Sequence, residues 1–195
     1  MNVADPALRQ KVHHAYSEIA LTPAADHPFP VGRRLAERTG YPASWLARVP
    51  APSLDAFAGI SCLPCFAEIE QGARVLDLGC GAGLDSLLVA GGAGAVLGLD
   101  FSQPMLARAR AAACAVGAAN VGFVRGDAEA IPAAAGSIDV AMVNGIFNLN
   151  PARAGIFREL ARVVRPGGTV YAAELVVVEP AAEHAGRHDE ADWFA

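Results

Sequence analysis

Residues 75–86, VLDLGCGAGLDS, run from an apolar strand through glycines at alternate positions into a helix. Val75, Leu76 and Leu78 make the strand. Gly79, Gly81 and Gly83 come next, and Leu84, Leu87 and Leu88 resume at helical spacing. Glycine lets backbone pass close to a ligand, and the helix start offers unpaired N–H groups. A strand that turns this way into a helix opens a βαβ unit, which commits the rest of the chain to a parallel sheet.

The pattern beyond residue 83 obeys that commitment. Helix is expected at 84–90, strand at 95–99, helix at 104–115, strand at 121–124, strand at 138–143, helix at 152–164 and strand at 169–178. The RPGG at 165–168 reads as a helix stop and turn. Strands alternating with helices give an α/β, doubly wound parallel sheet with helices on both faces. Residues 1–70 differ in texture. They carry prolines and aromatics, with short helices expected at 7–20, 31–39, 43–48 and 53–58, and read as an N-terminal helical cap. The core is 71–179 and a tail runs from 180 to 195.

Charge narrows the partners. Fifteen Lys and Arg against twenty Asp and Glu leave a formal net charge of −5, which argues against nucleic-acid or membrane-surface binding. No apolar run is long enough for a bilayer span, and MNVADPALRQKVHH has no apolar leader region. A cytoplasmic location is expected. The four cysteines, Cys62, Cys65, Cys80 and Cys114, are then expected as free thiols, with Cys80 and Cys114 as small buried hydrophobes.

In a doubly wound sheet the ligand lies at the carboxyl ends of the strands. The glycine spacing departs from the dinucleotide G-x-G-x-x-G, because Leu84 stands where its third glycine belongs, and no Lys-Ser/Thr comes after it to make a P-loop. The strand tips supply the rest. Asp100 ends the second strand in GLD, where a carboxylate can accept from both hydroxyls of a ribose, or cap the next helix. Asp127 beside Ala128 comes after the third strand in RGDAEAIP, suited to the amino edge of adenine or to a turn. Asn144 ends the fourth, as a cofactor-binding residue lining the cleft or as a turn residue, and Asp77, just inside the end of the first, is suited to an ammonium or a loop amide.

VLDLGCGAG, GLD, GDAEAIP and RVVRPGG together resemble the class I S-adenosylmethionine (SAM)-dependent methyltransferases over about residues 72–178. FPVGRRLAERTGYP, VPAPSLDAFAG and NGIFNLNP narrow the resemblance to the arsenite methyltransferase-like branch. The resemblance implies a Rossmann-like core in strand order 3-2-1-4-5, lacking the family's last two strands, and SAM as cofactor. It implies Gly79, Gly81 and Gly83 along the methionine part, Asp100 at the ribose, Asp127 at the adenine, and Phe101, Met105 and Ala128 around the ring.

Two departures bear on the acceptor. Gly145 stands where that branch places an arsenic-holding cysteine, and the chain ends soon after the fifth strand, as a shortened member would. Cys62 and Cys65 in SCLPC are spaced to chelate a thiophilic species, or else are packing residues; with Asn144 they are the candidate acceptor-binding groups. No set with the spacing of a metal site is found, and His184 and His188 lack a third ligand. The expected activity is methyl transfer from SAM to a small acceptor, arsenite or another thiophilic species leading. The rivals are a carbon or oxygen methyltransferase of a quinone-like or other small metabolite, and a SAM-binding module without turnover. The exposed edge of strand five invites a second copy or a partner chain.

Overall fold

The computed structural model describes residues 6–176. The order of elements is α1 (Pro6–Leu21), α2 (Gly32–Arg38), α3 (Ala43–Leu46), α4 (Ala51–Leu54), a 3₁₀ turn (Leu63–Cys65), β1 (Arg74–Leu78), α5 (Leu84–Val89), β2 (Ala95–Asp100), α6 (Gln103–Val116), β3 (Val121–Arg125), β4 (Ile138–Asn144), α7 (Arg153–Val163) and β5 (Val164–Ala173). The sheet is parallel throughout, in the order β3-β2-β1-β4-β5. This is the Rossmann-like order expected from the sequence.

β1 shows why the order holds. Four of its five residues are buried, because a central parallel strand is covered on both faces and reads as a continuous apolar run. Leu76 and Leu78 face Ile156, Leu160 and Val163 of α7. Val75, on the opposite face, meets Val89 of α5 together with Val96, Val140 and Met142. Leu106 and Ala109 of α6 close over Phe123 of β3.

The cap docks on the core through two apolar clusters. Tyr41, Leu46, Leu54 and Phe57 surround Leu84 at the start of α5. Ile19, Ala20 and Ala56 meet Ala82 and Met105. Arg108 of α6 ties both cap layers down, donating to the Ala20 carbonyl and, at 3.2 Å, to the Pro52 carbonyl.

Several expected boundaries move, each for a local reason. The helix expected at 53–58 is a single turn at Ala51–Leu54, with Pro52 tolerated in its first turn. Beyond it the Phe57 carbonyl accepts from the Gly32 N–H at 2.7 Å. The RPGG segment is not a plain turn: Val164 already pairs with Ile138, the register slips, and pairing resumes at Thr169 opposite Val140. β5 therefore starts earlier than 169 and ends at Ala173; residues 177 and 178, expected in it, lie outside the described residues, as do His184 and His188.

The cysteine expectations need correction. Cys62 and Cys65 are joined in a disulfide across the 3₁₀ turn and are not free thiols. Cys114 is exposed on the outer side of α6, whereas Cys80 is buried as expected. Among the described residues no helix is long and apolar enough to cross a membrane, and no cluster of potential metal ligands is found.

Candidate active site

The strand order reverses direction at β1, and a cleft opens there at the carboxyl ends of β1, β2 and β4, roofed by α1 and the α4 region. Gly79 and Gly81 form its floor in left-handed backbone, at φ 77° and 51°. A Cβ on Gly79 would stand 2.4 Å from the Ile146 side chain, while one on Gly81 would meet nothing within 4 Å. The space over Gly81 is therefore open. Gly83 does not line the cleft: a Cβ there would strike Phe123 at 2.9 Å, so this glycine serves the packing of loop against core.

Asp100 is 8% exposed and organises the loop. Its two carboxylate oxygens accept from the Gly81 N–H at 2.9 Å and the Ser102 N–H at 2.7 Å. The helix-capping alternative for Asp100 falls away, because Ser102 caps α6 and accepts from the Met105 N–H. The Phe101 N–H also bonds this carboxylate, which with about four acceptor sites keeps capacity for a ligand. Phe101 and Met105 line the cleft beside it, and His13 of α1 packs on the Phe101 ring at 5.3 Å. Asp127 and Ala128 line the far end. There Arg9 of α1 reaches across and ion-pairs with Asp127.

The inner end is a buried polar network. Asp77 accepts from the Ser86 hydroxyl at 2.6 Å. Asp85 accepts from the Tyr41 hydroxyl at 2.6 Å and from the Asn144 amide at 2.9 Å. Asn144 also accepts from the Ile60 N–H at 3.0 Å and donates to the Ser61 carbonyl at 2.8 Å. Asn144 thus rivets the cap segment at 60–61 to the tip of β4 as well as lining the cleft.

Electrostatics derive from burial. Asp77, Asp85 and Asp100 are all pushed above the usual carboxylate range, each chiefly by loss of hydration. Asp85 raises Asp77 further, while the Tyr41 and Asn144 hydrogen bonds draw Asp85 part of the way back. Burial and the Asp85 charge raise the Tyr41 phenol, which stays a donor. Three carboxyls crowd one cleft, an environment complementary to a cationic ligand.

Not every candidate converges here. Cys62 packs among Tyr41, Leu46 and Leu54, and neither Cys62 nor Cys65 lines the cleft. Cys80 is buried against α6, and burial raises its thiol far above the usual value. Conversely, Arg9, Tyr41, Ser53 and Ser86 shape the site although nothing in the sequence singles them out. Asp85 is legible there as support for the glycine loop or as a first-turn acid, not as a partner of Tyr41 and Asn144.

Known proteins share this fold and sequence. Residues 69–192 match the methyltransferase domain family. The arsenite methyltransferase of Halobacterium salinarum is 37% identical over 148 residues, covering 74% of this chain and 38% of that protein. The demethylmenaquinone methyltransferase of Shouchella clausii is 33% identical over 110 residues, 55% of this chain and 47% of that one. The crystal structure of CrArsM, an arsenic(III) S-adenosylmethionine methyltransferase from Chlamydomonas reinhardtii, superposes with a TM-score of 0.60 at 29% identity, covering 66% of this chain and 46% of the other. The chain spans less than half the length of each of these relatives. On fold, cleft and sequence together, the chain belongs to the S-adenosylmethionine-dependent methyltransferases.

Proposed function

We propose that the cleft binds SAM and that the protein transfers its methyl group to a small, largely apolar organic acceptor through oxygen or carbon. The observation that carries the cofactor reading is the Asp100 carboxylate, held by the Gly81 and Ser102 N–H groups beside the open space over Gly81. The spare lone pairs of Asp100 suit ribose hydroxyls, and the backbone at Gly79 and Gly81 suits the amino-acid part. Asp127 and Ala128 suit the adenine edge once Arg9 withdraws, with Phe101 and Met105 flanking the ring. Asp77 favours the ammonium and sulfonium charges, which would in turn draw its carboxyl down toward its ordinary range.

Bound SAM supplies a methyl group already activated on sulfur, so the protein's share is alignment and exclusion of water. The acceptor end favours an organic molecule. Phe57, Ile146 and Leu149 give it an apolar wall. Asp85 stands on the same cleft with its carboxyl raised toward neutrality, suited to taking the proton of a phenol or quinol hydroxyl. A quinone-like metabolite fits this chemistry.

A second reading, methylation of trivalent arsenic, is favoured by the 37% identity to the Halobacterium salinarum enzyme. It requires Cys62 and Cys65 reduced and turned toward the cleft. One assay separates the readings. The protein is incubated with SAM and either a panel of quinols and phenols or arsenite with excess thiol, and methylated products are identified by mass spectrometry. Methylation of a quinol, retained in a Cys62→Ser/Cys65→Ser variant, is expected. Methylated arsenic as the sole product, lost in that variant, overturns the organic-acceptor reading.

A further inference from the structure

Ser53 is fully buried, and its hydroxyl has no hydrogen-bond partner among the described residues. The other buried polar side chains are all engaged: Ser86 with Asp77, Ser102 with Met105 and Ser17, Asp85 with Tyr41, and Asp100 with the glycine loop. Leaving a buried hydroxyl unpaired costs roughly 1–3 kcal/mol, and alanine would fill the same place in this short helix at no such cost. The Ser53 N–H already donates to the Pro50 carbonyl at 3.1 Å, so the backbone of α4 gains nothing from the hydroxyl.

Its position gives the reason. Ser53 lines the cleft. Ala56, three residues on, lies against Ala82 of the glycine loop and Met105 of α6. Ser53 therefore belongs to the part of the cap that packs over the glycine loop. The Arg108 bond to the Pro52 carbonyl and the burial of Leu54 fix α4 there before any ligand arrives.

We infer that Ser53 is a cofactor-binding residue contributed by the cap. Its hydroxyl donates to an oxygen of the ribose or amino-acid part of the bound cofactor. This inference rests on the SAM-binding reading above. It makes the cap part of the cofactor site as well as its roof.

The test exploits two effects of opposite sign. In Ser53→Ala the unpaired group disappears, so the ligand-free protein gains stability, with a thermal midpoint about 2–12 °C higher. Calorimetric titration with S-adenosylhomocysteine shows the reverse: the Kd rises roughly 2- to 150-fold, the range for one hydrogen bond to a neutral or a charged oxygen. Titration with 5′-methylthioadenosine, which keeps the ribose and lacks the amino-acid tail, identifies the oxygen. Loss with both ligands assigns the ribose, and loss with S-adenosylhomocysteine alone assigns the carboxylate. Ser53→Cys, which keeps the shape with a poor donor, shows the same weakening. Wild-type affinity for S-adenosylhomocysteine in both variants overturns the inference while leaving the SAM reading intact. An effect confined to the acceptor KM overturns it equally. Failure of the wild-type protein to bind S-adenosylhomocysteine overturns the SAM reading and this inference with it.

Discussion

Asn144→Leu removes every hydrogen bond of one side chain while keeping much of its volume. Asn144 makes five: from the Ile60 and Ser61 N–H groups at 3.0 and 3.3 Å, and to the Ser61 carbonyl, the Asp85 carboxylate and the Tyr41 hydroxyl at 2.8, 2.9 and 3.3 Å. The two bonds at 3.3 Å are weak. Two well-formed neutral bonds are worth about 1 kcal/mol each and the one to a carboxylate about 2, a gross loss of about 4 kcal/mol. Asn144 is only half-buried, so water replaces part of this and the net destabilisation is about 3 kcal/mol. With a urea slope of roughly 2 kcal/mol per molar, the unfolding midpoint falls by about 1.5 M. Circular dichroism through a urea titration reads this directly. A midpoint moved by less than about 0.3 M would refute the claim that Asn144 fastens the cap to the sheet. Asn144→Asp adds a sharper control. It sets a second carboxylate against Asp85, so its deficit should be largest above neutrality and shrink as acid protonates the pair.

Gly79→Ala should cost about 2–4 kcal/mol, combining left-handed backbone with the 2.4 Å approach to Ile146, whereas Gly81→Ala carries only the backbone cost of about 1–2 kcal/mol; equal urea midpoints would refute the distinction. Asp77 keeps its proton to higher pH when folded than when unfolded, so its contribution to stability is full in acid and is lost as pH rises toward neutrality. Asp77→Asn should therefore gain in stability relative to wild type from pH 5 to pH 8, and a constant difference in midpoint would count against the raised carboxyl. Arg9→Ala removes an exposed ion pair, so the thermal midpoint should hardly move, while the Kd for S-adenosylhomocysteine should fall a few-fold because Asp127 no longer has a competitor. An unchanged or higher Kd would show that Arg9 does not obstruct the adenine end.

The features legible in the sequence and those hidden from it divide along a physical line. The core elements announce themselves because their signals are local: VLDLG carries the apolar run of a central strand, and Gly79 and Gly81 mark a turn whose dihedral angles few other residues accept. Asp100 and Asp127 are readable for a related reason. A parallel sheet delivers the tip of every strand to one edge, so once the strands are placed the tip residues share a cleft. The cap obeys no such rule. Tyr41 reaches Asp85 across 44 positions and Ile60 meets Asn144 across 84, and nothing near GYP or GIS in sequence encodes those meetings. The cysteine pair lies off the cleft for the same reason: the spacing of SCLPC brings Cys62 to Cys65, but which way the pair faces is set by Tyr41, Leu46 and Leu54, which draw Cys62 into the cap's own core.

That division also says where specificity resides. The residues suited to the cofactor lie mostly on strand tips and the glycine loop, whose positions the sheet dictates. The residues proposed to face the acceptor, Phe57, Ile146 and Leu149, come from the cap and from the loop after β4, and the placement of Phe57 depends on how the cap is fastened. Asn144 sits at the junction, one amide joining the β4 tip, the acidic wall and segment 60–61. Loosening it should therefore act on the two ligands unequally. In Asn144→Leu, affinity for S-adenosylhomocysteine should change less than the KM for a quinol acceptor, because Asp100 and Gly81 keep their hydrogen bond whether or not segment 60–61 stays docked. If cofactor affinity instead collapses in step with acceptor KM, cap and sheet act as a single binding unit, and the assignment of acceptor selection to the cap is wrong.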